Sequence, residues 1–391
     1  MKGWWQPPRL RVSKSSAEER HATWLELFFD LVFVVAVSQL AQNLNRDVSL
    51  SGFLNFVTLF VPVWWAWIGA AFYATRFDTD DLGYRLLTLG QMLAIAALSV
   101  NVHDGLGKSS AGFALSYAAV RGVLILQYLR AGWHVVTARP LTTRYIYGFS
   151  VAAVIWLVSA FVPIPMRFVL WVLGLTLDMA TPLSAWQLHA QLPPDTSHLL
   201  ERFGLFTLIV LGESIAAVIN GIAIQPWNLW SGIAAAFGLV LAFSLWWIYF
   251  DYIDDAAILA TRVPRRIWLF EVWLYTHLLL VIGLTATGVG VQNTVLNASY
   301  LVLPGGARWL LCSAVAIYLL ALGVIYLTNI STKRKRRYQL QSLYRIGAAA
   351  IFLVLAISGA ELLPVVLLGL VTLICAAQVV QDLFWKSRSG S

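Results

Sequence analysis

Along the chain, apolar residues come in runs of roughly twenty, separated by short stretches rich in Gly, Pro, Asp, Lys and Arg. Twelve such runs stand out, at 24–44, 52–75, 83–102, 112–131, 143–163, 166–187, 200–221, 228–250, 266–290, 307–328, 342–360 and 363–384. At about 1.5 Å of rise per residue, each is long enough to cross a hydrocarbon core about 30 Å thick. Pro163 and Pro165 punctuate one tight join, and Glu361 and Pro364 mark another. The pattern predicts an all-α, polytopic transmembrane bundle of about twelve helices.

Basic residues orient that bundle. With the N-terminus placed in the cytoplasm, all but five of the 27 Lys and Arg residues fall in cytoplasmic segments. The exceptions are Arg46, Lys108, Arg167 and Arg308 in outer loops and Arg121 inside the fourth run. So uneven a split is the positive-inside signal, and an even number of crossings puts both termini in the cytoplasm. The cluster Lys333–Arg337 then faces anionic headgroups.

Composition adds exclusions. Of 391 residues, 59% are hydrophobic and 12% are charged, and the mean hydropathy is +0.74. A soluble or disordered chain has roughly twice that share of charge. The expected partners are therefore membrane lipids and a small solute or ion of unknown identity. The net charge of +8 reads as a topology signal, so no nucleic-acid partner is expected. The two cysteines, Cys312 and Cys375, sit inside apolar runs and suggest neither a disulfide framework nor a metal site. No Gly-rich phosphate loop follows a strand-like segment. Haem ligation by two histidines needs a second deep His beside His277. No cofactor is expected. The first run carries Glu26 and Asp30, which a cleavable signal peptide would not.

Laying the seventh run on the first sets Glu26, Phe28, Val35, Ala41 and Asn45 on Glu201, Phe203, Val210, Ala216 and Asn220. Trp64-Trp65 echoes Trp246-Trp247, and Asp80-Asp81 echoes Asp254-Asp255. These matches predict two six-helix repeats of like orientation, related by an axis along the membrane normal. The expected organisation is a cytoplasmic segment 1–23, a first repeat 24–187, a cytoplasmic linker 188–199, a second repeat 200–384 and a cytoplasmic tail 385–391.

Ionisable side chains deep in a bilayer cost about 2.5–3.5 kcal/mol or more, so each needs a partner or a purpose. Four lie deep by residue count: Glu213, Asp178, His277 and Arg121. Glu213 is two helical turns before Asn220 on one face, and a buried Glu is a credible proton carrier. It can equally be locked to Arg121 or His277. Asp178 precedes Pro182, which frees the Asp178 carbonyl and suggests a cation ligand. The rival reading pairs Asp178 with Arg121. Arg121 itself is a counter-ion or an anion clamp, and His277 is a proton relay or a neutral hydrogen-bonded core residue. Thr23 and Glu26 fit a capping box, and Glu201 also suits a helix N-terminus. The alternative for Glu26 and Glu201 is a cytoplasmic vestibule, with His21 and His198 nearby. Asp30, one turn beyond Glu26, is not explained by capping and is a functional candidate.

The segments Trp24-Leu-Glu26-Leu-Phe28-Phe29-Asp30 and Glu201-Arg202-Phe203-Gly204-Leu-Phe206, continued by Leu211-Gly212-Glu213-Ser214, resemble the bacterial low-temperature requirement A family over essentially the whole chain. The resemblance implies a polytopic protein of the bacterial inner membrane. The family's name records growth in the cold, not a reaction. Together with the deep charges and the repeat, this points to a proton-coupled secondary transporter using Glu213 and Asp178. The alternative is an intramembrane enzyme or lipid-handling protein tied to cold adaptation. A channel would need a continuous polar stripe, and few deep polar residues line any one helix.

Overall fold

The computed structural model describes residues 4–11, 22–224, 228–251, 267–329 and 335–389. Among them are thirteen α-helices: α1 Trp24–Arg46, α2 Leu50–Arg76, α3 Leu82–Val102, α4 Ser110–His134, α5 Arg139–Ser159, α6 Met166–Ser184, α7 Trp186–Gln191, α8 Thr196–Ala223, α9 Leu229–Phe250, α10 Ile267–Leu296, α11 Gly305–Leu327, α12 Lys335–Ser358 and α13 Pro364–Ser389. Twelve are long and apolar enough to cross a membrane; α7, with 6 residues, is not. The chain is an all-α polytopic bundle. His21, Asp254, Asp255, Arg262, Arg265, Arg266, Lys333 and Arg334 lie outside the described residues.

Helix starts follow local chemistry. Asp81 caps α3 by accepting the backbone N–H of Tyr84. Asn228 and Ser231 form a capping box on α9. The seventh crossing begins at Thr196, four residues before the apolar run at 200, because Asp195 accepts the backbone N–H of His198 and the hydroxyl of Ser197. The expected linker at 188–199 thus holds the end of α7 and the first turn of α8. Glu201 sits in the second turn, too far in to cap its own helix. A two-residue antiparallel ladder joins β1, Arg9–Leu10, to β2, Phe77–Asp78. It satisfies backbone groups outside the crossings, where the apolar pattern is silent.

The described chain forms two compact units. The first comprises the residues up to Leu40, Thr58–Leu205 and Ile267. In it, α3 packs on α4, α4 on α5 and α5 on α6. The second comprises Ala41–Val57 and the residues from Phe206 on, apart from those already assigned. In it, α11 packs on α12 and α9 on α13. Small residues bring its α10 close to α11. A Cβ on Gly290 would fall 2.7 Å from the Leu311 Cα, and one on Gly283 would fall 2.8 Å from the Tyr318 nitrogen. Close approach of this kind suits helices that associate in lipid without a hydrophobic drive.

Candidate functional site

The first two turns of α1 carry two carboxylates four residues apart, Glu26 and Asp30. The first two turns of α8 carry His198 and Arg202 at the same spacing. Such residues share a helix face, and in the first unit the two faces meet. His198 Nε2 donates to Glu26 Oε2 at 3.0 Å. Arg202 Nη2 donates to Asp30 Oδ1 at 2.7 Å. The diagonal pair, Arg202 and Glu26, is 3.9 Å apart.

Other elements complete the cluster. Trp67 of α2 donates its indole N–H to Asp30 Oδ1 at 2.9 Å, and Phe203 stands edge-on to that indole. Arg11, just after β1, reaches Glu26 Oε1 at 3.5 Å. Glu26 also closes the capping box, accepting the Thr23 N–H while Thr23 Oγ1 accepts its own. Glu26 is therefore a cap and a cluster member at once. Glu201 Oε2 accepts the Ala22 N–H, which ties the start of α1 to α8. Glu26, Asp30, His198 and Arg202 are all at most 4% exposed. Asp30 Oδ2, Arg202 Nε and His198 Nδ1 have no hydrogen-bond partner among the described residues.

A small cavity lies beside the cluster, lined by Glu26, Tyr73, Thr88, Gln91, Gln127 and Arg202, with apolar side chains between them. It has room for roughly one water molecule. Gln91 Nε2 and Gln127 Oε1 are buried and unpaired.

Residues 4–11 strap the α2–α3 connection just outside the crossings. The Leu82 N–H donates to the Trp4 carbonyl. Arg130 donates to Asp81 at 2.6 Å and to the Gln6 carbonyl at 2.9 Å. Burial pulls the Asp81 carboxyl upward, but the hydrogen bonds from Arg130 and from the Tyr84 and Gln6 backbone hold it below its ordinary value.

A second buried ion pair lies elsewhere in the first unit. Arg121 Nη2 meets Asp178 Oδ2 at 2.7 Å, with both side chains at most 1% exposed. Tyr117 donates to the same Asp178 oxygen at 2.6 Å and accepts from Arg121. Gly69 makes the room, since a Cβ there would come within 2.6 Å of Arg121 Nη1. Arg121 and Asp178 are thus brought together as mutual counter-ions.

Glu213, Asn220 and His277 belong to the second unit. His277 Nδ1 donates to the Trp273 carbonyl at 2.8 Å, and Tyr249 lies 3.4 Å from its Nε2. Glu213 is half-buried and Asn220 is exposed. Neither side chain makes a hydrogen bond or an ion pair among the described residues. The second unit also buries Arg345 against Asp382 and Gln378.

Arg202, Trp67, Gln127 and Asp382 are not legible in the sequence as site residues, and His198 is legible there only as a neighbour of Glu26 and Glu201. One signal was available for two of them. His198-x-x-x-Arg202 has the spacing of Glu26-x-x-x-Asp30 with complementary chemistry. Arg345 and Arg202 are taken there as topology charges, because both stand near the rims of apolar runs.

A family model described as "Bacterial low temperature requirement A protein (LtrA)" matches residues 21–380. The chain is also similar to "Uncharacterized protein RA0937" of Rhizobium meliloti (strain 1021). The two are 28% identical over 299 residues, which cover 71% of each.

Proposed function

The chain belongs to the bacterial low temperature requirement A family, and we propose that it is a proton-coupled secondary transporter of a small solute. It would lie in the bacterial inner membrane with both termini in the cytoplasm, as two like-oriented repeats. The observation that carries the reading is the cluster of Glu26, Asp30, His198 and Arg202, with a bare Asp30 Oδ2. Two guanidiniums, Arg202 and Arg11, already balance the two carboxylates. A metal cation entering such a site would meet no net negative charge, whereas a proton can settle on Oδ2.

Protonation of Asp30 removes the attraction that holds Arg202. Arg202 is then drawn to Glu26, its 3.9 Å neighbour, which already binds His198. A change of partner at the start of α1 and α8 is a bistable element that proton binding biases. In this reading Asp178 stays paired to Arg121 as a strut. Glu213 is the second candidate carrier, in the unit that also holds Asn220 and His277.

The same convergence of Glu26 and Asp30 at one end of α1 favours a second reading, an enzyme or lipid-handling site at one leaflet. Deletion of the gene would then change the lipidome, which the transporter reading does not require.

The test is proton movement in proteoliposomes loaded with a pH dye and challenged with pooled small metabolites. Wild-type protein is expected to move protons with a solute, and Asp30→Asn, which mimics the protonated acid, is expected to abolish it. Wild-type rates in Asp30→Asn would contradict the proposal.

A further inference from the structure

Three of the residues that line the cavity beside the cluster carry unmatched polar atoms. Gln91 Nε2 and Arg202 Nε are donors without partners, and Gln127 Oε1 is an acceptor without one. Gln91, Gln127 and Arg202 are each at most 2% exposed. Glu26 lines the same space. Its carboxylate has more lone pairs than its present donors use. An unpaired buried polar atom costs about 1–3 kcal/mol, so three at one cavity are expensive unless something satisfies them.

Water fits this inventory. Its oxygen accepts two hydrogen bonds, from Gln91 Nε2 and Arg202 Nε. Its two hydrogens donate to Gln127 Oε1 and to the Glu26 carboxylate. Buried waters make two to four such bonds, and the space is about the size that one molecule needs. A larger solute would need several of the lining side chains to move.

We infer that the Gln91–Gln127–Arg202–Glu26 cavity is a binding site for an internal water molecule that relays protons to Glu26. The relay rests on the transport reading given above; the water site itself does not. In the relay, a hydronium ion from the aqueous side gives a proton to the water oxygen as its bond from Arg202 Nε lets go, and is left as water. One of the bound molecule's other hydrogens passes to the Glu26 carboxylate, and that molecule ends as neutral water. Gln91 and Gln127 are positioning residues, because they hold the water and exchange no proton themselves.

X-ray hydroxyl-radical labelling, read by mass spectrometry on full-length protein in nanodiscs, tests the site. Radicals form from bound water, so a buried side chain beside one is oxidised although bulk solvent does not reach it. Tyr73 lines the cavity and is 1% exposed. Tyr117 and Tyr128 are as deeply buried and do not line it. Tyr73 is expected to label several-fold faster than either, and a double variant, Gln91→Leu with Gln127→Leu, is expected to remove the difference. Equal labelling of the three tyrosines in the wild type would overturn the inference, and that comparison needs no variant to fold. So would unchanged Tyr73 labelling in a folded double variant. The same preparations in proteoliposomes separate the two claims. Loss of proton movement in Asp30→Asn with no preferential labelling of Tyr73 rejects the water site and leaves the transport reading standing. Preferential labelling with unimpaired Asp30→Asn supports the water site and rejects the coupling role.

Discussion

A guanidinium enclosed by helices keeps its proton, so Arg121 can be buried only with a matching acid. Asp178 supplies it at 2.7 Å, and Tyr117 bonds to both. Removing one member leaves the other charged and alone. Arg121→Met and Asp178→Leu are each expected to lower unfolding stability by about 3–5 kcal/mol, whereas the double variant recovers most of the loss. Thermal unfolding in detergent checks this, and additive losses would speak against a pair. His189, in α7 and outside the crossings, behaves differently. Burial and the charge of Arg76 push its pKa from 6.5 down to about 3, and its Nε2 lies 2.7 Å from the Tyr145 hydroxyl. The folded state therefore keeps this ring neutral where the unfolded chain would protonate it. The stability it confers is full above pH 6.5 and falls by about 1.4 kcal/mol per pH unit as pH drops towards 3. His189→Gln is expected to flatten that slope, and an unchanged slope would mean that the ring is not buried neutral. Of these residues, Arg121 and Asp178 were legible as deep charges, and their pairing was one of two readings. The neutral state of His189 was not legible, because burial of a side chain beyond the crossings leaves no mark in an apolar pattern.

At the scale of elements, hydrophobic run length predicts the twelve crossings well, because lipid demands about twenty apolar residues whatever the side-chain detail. Helix ends are set by short-range polar chemistry instead. Asp195 starts α8 at Thr196, and that early start carries His198 and Arg202 inside the helix, onto one face. Read from residue 200, Arg202 stands at the rim and looks like a topology charge. The cluster was hidden for that reason. The strap formed by residues 4–11 was hidden for another, since a two-residue ladder has no period to detect. The Arg130–Asp81 pair holds the strap, and a charge-assisted hydrogen bond contributes about 1.5–3 kcal/mol. Arg130→Ala is expected to free the strap and to speed tryptic cleavage after Arg9 and Arg11 roughly tenfold or more, since each 1.4 kcal/mol is a factor of ten. Cleavage at the wild-type rate would show that the pair does not hold the segment.

For the whole molecule, the excess of Lys and Arg on one set of loops predicts sidedness. Cys312 and Cys375 are both buried, so they give little background to a thiol reagent. Lys108 and Trp133 are exposed near opposite ends of α4. In intact cells, an impermeant maleimide is expected to label Lys108→Cys and to spare Trp133→Cys; the reverse pattern would invert the orientation. The proposed proton site in this bundle, Asp30, has a spectroscopic signature. Infrared difference spectroscopy across an acid–base titration of the reconstituted protein addresses it most directly. A carboxylic-acid band is expected to appear on acidification, to disappear in Asp30→Asn and to persist in Glu213→Gln. A band that survives Asp30→Asn and is lost in Glu213→Gln would contradict that site.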